Sequence, residues 1–516
     1  MEARNIQKVV LINLPTEGKV ADFYTPKYAI ESFANYPPLG LLYVAAGIKD
    51  SYQVKVLDVQ ARRWGIQETI QKIVEESPQC LGISCQTFYL YPMVAIIKGV
   101  KQRLPHLTVV IGGPHTTAFP DETLRLPGVD FCIQGDGDFS FKKLLDALNA
   151  GANESFASIA GLIYDEAGQV RKNPPENLNL DTLPIPDRDL LDNSFYYTAA
   201  DNGQTIVTMI SSRGCPLQCV FCDVLEKKYR SRSAKSIVDE MAYIVGKYDN
   251  PIVHVFDDTF NLYKRRVMEI CAEIKERNLK VKWTTRSRTR PLDEEMVMAM
   301  KEAGVVRMHF GVESGSEATL KRVKKGVRKK DIVKAFELCN KYEIDSLAYF
   351  IIGFDWETKH EINETVQFIK EIRPSFIMAN TLYPAARTES YQILLDSKML
   401  KEDYWQTYAE NPTPNFKMPE YLSPKSLSYL RRKLDEIYLA FYLSPTFVLK
   451  NLTQKSSSGA KGGSLLFKVN LAFKIIGSFV TNYKSELTTS GKNEFDRPPA
   501  IVDPEDFEPD IPPEAP

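Results

Sequence analysis

The run Ser212-Arg213-Gly214-Cys215-Pro216-Leu217-Gln218-Cys219-Val220-Phe221-Cys222 decides the fold of this chain. Its three cysteines are spaced C-x3-C-x2-C, and a strand-like run, Thr205-Ile206-Val207-Thr208-Met209-Ile210, leads into them. That order places the cysteines on a loop at the carboxyl end of a strand, wrapped round a metal centre. Gly214 and Pro216 help the backbone bend there. Thiolates are natural ligands of iron–sulfur clusters. A structural zinc site closes with four protein ligands, whereas a cubane held by three cysteines keeps one iron open. A zinc site completed by a distant His254 or His309 is the competing reading of the same residues.

Downstream, strand signals alternate with helical patterns. They fall at Ile252-Val253-His254-Val255-Phe256-Asp257-Asp258, at Val281–Thr285, at Val306–Gly315, at Ser346–Gly353 and at Phe376–Asn380. Counting the run before the cysteines, six strand–helix units predict a partial (β/α)6 barrel with its active site at the strand carboxyl ends. Polar residues gather at those ends: Asp257, Asp258, Arg286, Glu313 and Ser314. An acid suits an ammonium or a ribose diol, and Arg suits a carboxylate. Helix N-capping is the plainer reading of Asp257 and Asp258, and Arg286 and Arg288 equally suit surface ion pairs.

The cysteine spacing, with aromatic Phe221 before the last cysteine, resembles the signature of the radical S-adenosylmethionine (SAM) superfamily. The resemblance implies that Cys215, Cys219 and Cys222 hold a 4Fe-4S cluster and that SAM binds its open iron. Gly311-Val312-Glu313-Ser314-Gly315-Ser316 is similar to the family's fourth-strand motif, which assigns Glu313 to SAM. Phe256-Asp257-Asp258-Thr259-Phe260 replaces the common Gly-Gly-Glu of the second strand and leaves open which Asp touches SAM. Gly353, in Ile351-Ile352-Gly353-Phe354, stands where a glycine lets the adenine approach. Pro384 and Thr388 resemble the motif after the sixth strand only weakly, since Ala386 replaces its glycine.

The N-terminal part is a second α/β pattern. Strand signals at residues 8–14, 54–58, 80–84, 108–113 and 131–133, with helices between, predict a doubly wound parallel sheet. Ligands bind such sheets at strand carboxyl ends near the switch point. Those ends carry small residues: Ser84, Gly112-Gly113-Pro114-His115 and Gly135-Asp136-Gly137-Asp138. By physics alone this is a generic crevice with turn glycines. Together with Tyr36-Pro37-Pro38-Leu39-Gly40, and placed before the cysteine loop, the set resembles the cobalamin-binding radical SAM subfamily, the class that contains radical methyltransferases. The resemblance assigns Ser84, Gln86, Thr87, Gly112, Gly113, His115, Gly135 and Asp136 to cobalamin. There are departures. Leu14-Pro15-Thr16-Glu17-Gly18 lacks the histidine with which related domains ligate cobalt. The loop Gln86-Thr87-Phe88-Tyr89 is then expected at the cofactor's lower face, and His115 beside the cofactor tail or in the core.

These readings divide the chain into a cobalamin-binding domain over 1–150, a connector over 151–204 and a radical SAM barrel over 205–400. A mainly helical region over 401–490 and an acidic, proline-rich disordered tail over 491–516 follow. The connector includes a hairpin around Asp165-Glu166-Ala167-Gly168. Within the helical region, Leu430–Tyr442 reads as a packing helix, and Leu465–Val480 as an amphipathic helix beyond a Ser/Gly linker. That helix suits domain packing, and also a membrane surface or a substrate cover.

Composition narrows the class. The 516 residues, 44% hydrophobic and 25% charged, carry a net charge of −1, so nucleic acid is not an expected partner. The absence of a signal peptide and the use of eight cysteines without a disulfide pattern predict a reducing cytoplasm. Cys80, Cys85 and Cys132 read as core thiols, and Cys271 and Cys339 as helix residues away from the loop. The expected protein is an enzyme whose cluster, reduced by an external one-electron donor such as a flavodoxin or ferredoxin, cleaves SAM to a 5′-deoxyadenosyl radical. Cobalamin-dependent methylation of an unactivated carbon is the leading outcome implied by the resemblance. Oxidative cyclisation or rearrangement with the same parts is the alternative. A non-catalytic iron–sulfur electron carrier or cobalamin sensor is the reading from another class. The expected substrate is a small molecule, and the barrel's aromatic residues and the late amphipathic helix point to an apolar or lipid-like one.

Overall fold

In the computed structural model, residues 3–20, 34–198, 200, 201, 204–414, 416, 417, 426–442, 444 and 447 are described. The chain separates into two compact units. Among the described residues, the first comprises 3–20, 35–196 and the segment from 401 to 417, the second residue 34, the segment from 197 to 400 and that from 426 to 447.

The first unit is built on strands β1 (Lys8–Ile12), β2 (Gln53–Leu57), β3 (Cys80–Ser84), β4 (Thr108–Gly112), β5 (Phe131–Ile133), β6 (Leu162–Glu166) and β7 (Gln169–Lys172). They lie in the order β2-β1-β3-β4-β5-β6-β7. Pairing is parallel through β5 and antiparallel beyond it. Val9, Val10, Leu11 and Ile12 are all buried, as are Cys80, Leu81 and Ile83, because helices cover both faces of a doubly wound sheet and leave no solvent side. Strand order reverses between β1 and β3, which makes the ends of these strands the switch point. All five expected parallel strands are present.

The segment read as a connector is more than a tether. Its hairpin forms β6 and β7 and extends the first sheet. The segment from 401 to 417, read as part of the C-terminal helical region, also groups with the first unit. The cause is aromatic burial: Trp405 and Tyr408 are almost wholly buried, Trp405 meets Phe88 edge-on at 5.9 Å, and Tyr408 Oη accepts the Tyr91 N–H at 3.1 Å.

The second unit holds six parallel strands in sequence order: β8 (Ile206–Met209), β11 (Ile252–Val255), β12 (Lys282–Ser287), β13 (Val305–Glu313), β14 (Asp345–Ile352) and β15 (Phe376–Thr381). Between the first two, a short antiparallel pair, β9 (Ser212–Arg213) and β10 (Arg230–Ser231), closes the base of the cysteine loop. This is the expected partial (β/α)6 barrel. Several of its helices start where a side chain supplies a cap. Ser233 accepts from Ser236 N ahead of Ala234–Lys247, Asp293 from Met296 N ahead of Glu294–Glu302, and Thr358 forms a capping box with Glu361 ahead of Lys359–Ile372. The expected packing helix runs Leu427–Tyr442, and Tyr438 Oη donates to the Ala379 carbonyl. The expected Ser/Gly linker, the amphipathic helix over 465–480 and the acidic tail lie outside the described residues. Among the described residues no helix is long and apolar enough to cross a membrane.

Candidate active site

The cysteine loop is shaped by one carboxylate. Asp257, just beyond β11 and almost wholly buried, accepts from Ser211 N (2.7 Å), Ser212 N (3.0 Å), Ser212 Oγ (2.7 Å) and Ser211 Oγ. Arg266 stands 3.7 Å away. Asp257 thus holds the point where the chain leaves the barrel. Asp258 takes the Gly214 N–H at 2.8 Å. Gly214 has φ +83°, and a Cβ there would run into the Lys228 carbonyl, so this turn needs glycine. Neither aspartate caps the following helix, which begins at Lys264 behind Tyr263. Asp258 keeps solvent access in a crowded concavity. Desolvation raises its pKa, helped by Asp257 and opposed by the Gly214 N–H and Arg286.

Cys215, Cys219 and Cys222 are all partly exposed. Burial raises Cys215, opposed by the Leu217 N–H and by Arg288. It pushes Cys222 up to about 11, against the Val224 N–H. Two cations face this loop. Arg288 lies against Cys219 and Cys215 and donates to the Lys325 carbonyl at 2.7 Å. Burial lowers Lys325, but Glu313 and then Cys219 more than offset it, and its pKa stands above normal. Lys325 Nζ donates to Glu313 Oε1 at 2.6 Å. Glu313 has φ +66° and sits at a register shift between β13 and β14. A left-handed backbone at a non-glycine residue stores strain, characteristically at functional sites. Here it turns the carboxylate toward Lys325. Phe221 packs beside Phe354, ring centroids 6.1 Å apart, and Phe354 stacks on Trp356.

Other expected residues lie elsewhere. Ser314 Oγ meets Thr365 Oγ1 at 3.1 Å and accepts from Ser316 N, so it shapes the chain after β13. Gly353 has φ +89°, and a Cβ there would lie 2.8 Å from Leu430, so a helix side chain covers that glycine. Arg286 lies over the Phe256 ring, 3.9 Å from its centroid; Arg288 is the arginine at the thiols. His254 pairs with Asp201 and Thr284, and His309 with Tyr349, so both are engaged in the barrel interior. Among the described residues no three His, Cys, Asp or Glu side chains gather closely enough to hold a single ion. Sequence reasoning missed Lys325 altogether, because it follows Lys324 in a basic run that reads as a solvated face. Arg288 was visible only as one of two strand-end arginines.

In the first unit the expected residues cluster at the ends of β3 and β4. Ser84 lies opposite Gly112. Gly113 has φ +95°, with Cys85 backbone so close that a Cβ would fall 2.8 Å from its oxygen. A Cβ at Gly112 or Gly137 would meet nothing nearer than 3.8 or 3.7 Å respectively, which leaves a bare shelf beside the switch point. Gly135 has φ +73° and Asp136 follows it. Gln86 is exposed and leads into the turn Thr87–Tyr89. His115 is buried, with Nδ1 3.1 Å from Thr87 Oγ1 and its ring beside Phe119.

Residues 209–369 match the Radical SAM superfamily, and residues 27–145 match the B12 binding domain. An uncharacterized methyltransferase of Pyrococcus horikoshii is 31% identical over 453 residues, 87% of this chain and 95% of that protein. The chain belongs to the cobalamin-binding radical SAM family. The anaerobic magnesium-protoporphyrin IX monomethyl ester cyclase of Rubrivivax gelatinosus is 26% identical over 69% of this chain and 66% of its own length. The radical SAM methyltransferase TsrM of Kitasatospora setae shares the fold, with TM-score 0.64 and 16% identity over 94% of this chain and 100% of that one.

As a radical SAM enzyme with a B12 binding domain, the protein works with a 4Fe-4S cluster, SAM and cobalamin. Its residues fit those groups. Three thiols with two buried cations beside them form a donor set whose charge suits a thiolate-held cluster. The bare glycine shelf beside the switch point suits a large flat cofactor.

Proposed function

We propose that this radical SAM enzyme methylates an unactivated carbon of a small molecule, using a methyl group carried by cobalamin. The observation that carries this reading is the joining, in one chain, of a cobalamin-type sheet to a barrel whose cysteine loop faces Arg288 and the Lys325–Glu313 pair. The likeness to a methyltransferase over 87% of this chain supports it. When bound, the cluster with SAM supplies a 5′-deoxyadenosyl radical, and cobalamin supplies the methyl group.

Each residue then has a task. Cys215, Cys219 and Cys222 hold the cluster, and Asp257 holds their loop in place. Arg288 and Lys325 offset the thiolate charge. Glu313 and Asp258 receive the ammonium or ribose diol of SAM. Ser84, Gln86, Thr87, Gly112, Gly113, Gly135 and Asp136 line the cobalamin side, with His115 beneath them. Electrons come from an external donor such as a flavodoxin or ferredoxin. All eight cysteines are free, which suits the cytoplasm. The partly accessible apolar side chains of Ile351 and Met378 on the barrel strands, and of Phe256 just beyond β11, favour a largely apolar substrate skeleton, including a lipid-like one; membrane-surface association rests on residues 465–480.

The likeness to the Rubrivivax cyclase favours a second reading, oxidative cyclisation with the same cofactors. Anaerobic incubation of the reconstituted protein with cobalamin, SAM and a reductant separates the two by mass spectrometry. Methylation requires deoxyadenosine and S-adenosylhomocysteine together, and a Cys215→Ala chain should form neither. Deoxyadenosine alone, with cobalamin bound, would select cyclisation. Neither product from wild type with a verified cluster and substrate supply would refute the enzyme.

A further inference from the structure

Exposure along the barrel strands alternates. Tyr349 and Ile351 on β14, and Met378 and Asn380 on β15, keep accessible surface between buried neighbours. On β12, Arg286 is exposed between buried Thr285 and Ser287. Inward residues of a parallel barrel share one face of each strand, so this alternation marks an open lumen. Arg286 and His309 are register partners on β12 and β13. Parallel neighbours lie about 4.8 Å apart, so the two side chains stand abreast. His309 is 7% exposed, with Nδ1 3.1 Å from Tyr349 Oη. Among the described residues its Nε2 is buried and has no partner.

A buried polar nitrogen without a partner costs free energy unless a ligand supplies one. When the Tyr349 hydroxyl donates to Nδ1, the proton lies on Nε2, leaving an N–H without an acceptor on the strand face that His309 shares with Arg286. The Arg286 guanidinium, stacked on Phe256, adds a fixed positive charge to the same chamber. A donor beside a cation accepts an anionic oxygen, and stacked Arg suits a planar carboxylate. Phe256, Ile351 and Met378 line the rest with apolar surface.

We propose that the lumen selects a substrate with an apolar skeleton and an anionic oxygen group of the carboxylate type, bound between Arg286 and the Nε2–H of His309. Tyr349 is a positioning residue that sets the histidine tautomer. The proposal deepens the methyltransferase reading and rests on its substrate entering this barrel.

The test is calorimetric titration of the reconstituted full chain with decanoate, and with decan-1-ol as its neutral match. Wild type should bind decanoate about tenfold or more tightly than decanol, the equivalent of one charge-assisted hydrogen bond. Arg286→Gln and His309→Leu should erase that preference, whereas His309→Gln, which keeps an N–H near Nε2, should retain most of it. Equal binding of both probes to wild type would overturn the proposal, and so would a preference untouched by both variants. Loss of SAM affinity in Arg286→Gln would also overturn it, by assigning the arginine to the cofactor carboxylate. SAM cleavage by wild type is scored separately, so failure of the enzymatic reading leaves the binding result legible.

Discussion

Lys325 donates to Glu313 at 2.6 Å with both side chains buried, and Glu313 adopts φ +66° to make the pair. The two residues are 12 apart in sequence, one ending a strand and the other following a helix. Their pairing sets the charge beside the cysteine loop. Removing one partner of a buried pair leaves the other uncompensated, at a cost of about 3–5 kcal/mol. Glu313→Gln should therefore lower the unfolding free energy by an amount in that range, read by denaturant titration. SAM affinity should fall in the same variant.

Gly311 tests the same pair from the backbone side. A Cβ there would lie 2.7 Å from Lys325 Nζ and closer still to Glu313 Oε1. Gly311→Ala should destabilise by about 1–3 kcal/mol through overpacking. Gly246 is the control. It lies exposed inside the helix Ala234–Lys247, and its Cβ would meet nothing within 4 Å. Gly246→Ala should raise stability by about 0.5–1 kcal/mol. Equal effects at the two glycines would refute the packing argument.

Asp257 accepts two backbone N–H groups and two hydroxyls. Asn offers one acceptor oxygen and turns an NH2 toward donors, leaving buried groups unpaired at about 1–3 kcal/mol each. Asp257→Asn should fold with a lower melting temperature and take up less iron on reconstitution. Iron analysis per chain checks this, and full uptake would show that the loop is held by other contacts.

His115 predicts an acid sensitivity. Burial pushes its pKa down to about 3, while an unfolded histidine titrates near 6.5. Between those values the unfolded chain binds a proton that the folded chain does not. The contribution is complete above about pH 6.5 and falls as pH drops, by about 1.4 kcal/mol per pH unit. His115→Gln should flatten the stability profile between about pH 4 and 6.5 by one proton, measured by urea unfolding at several pH values.

Much of the site was legible because its signals are local. The spacing of Cys215, Cys219 and Cys222 is a property of eight consecutive residues, and the apolar runs behind β1, β3 and β4 report strands buried on both faces. Period and punctuation of that kind survive without any knowledge of the fold. The hairpin of β6 and β7 was readable as a hairpin; its joining to the first sheet was not, because edge pairing depends on which strand is left open.

The amino-acid sequence alone determined two α/β units and the cluster loop, since each follows from short-range pattern; the cofactor class followed from the family resemblance those motifs carry, and the order of the strands within each sheet came from the structure. Tertiary structure alone decided which charges meet. It placed Arg288 rather than Arg286 at the thiols, turned Lys325 out of a basic run to face Glu313, committed Asp257 to the loop base and set Arg286 beside His309 in the lumen. Those choices depend on strand register and on the cost of burying a charge without a partner. Residues far apart in the chain settle both jointly.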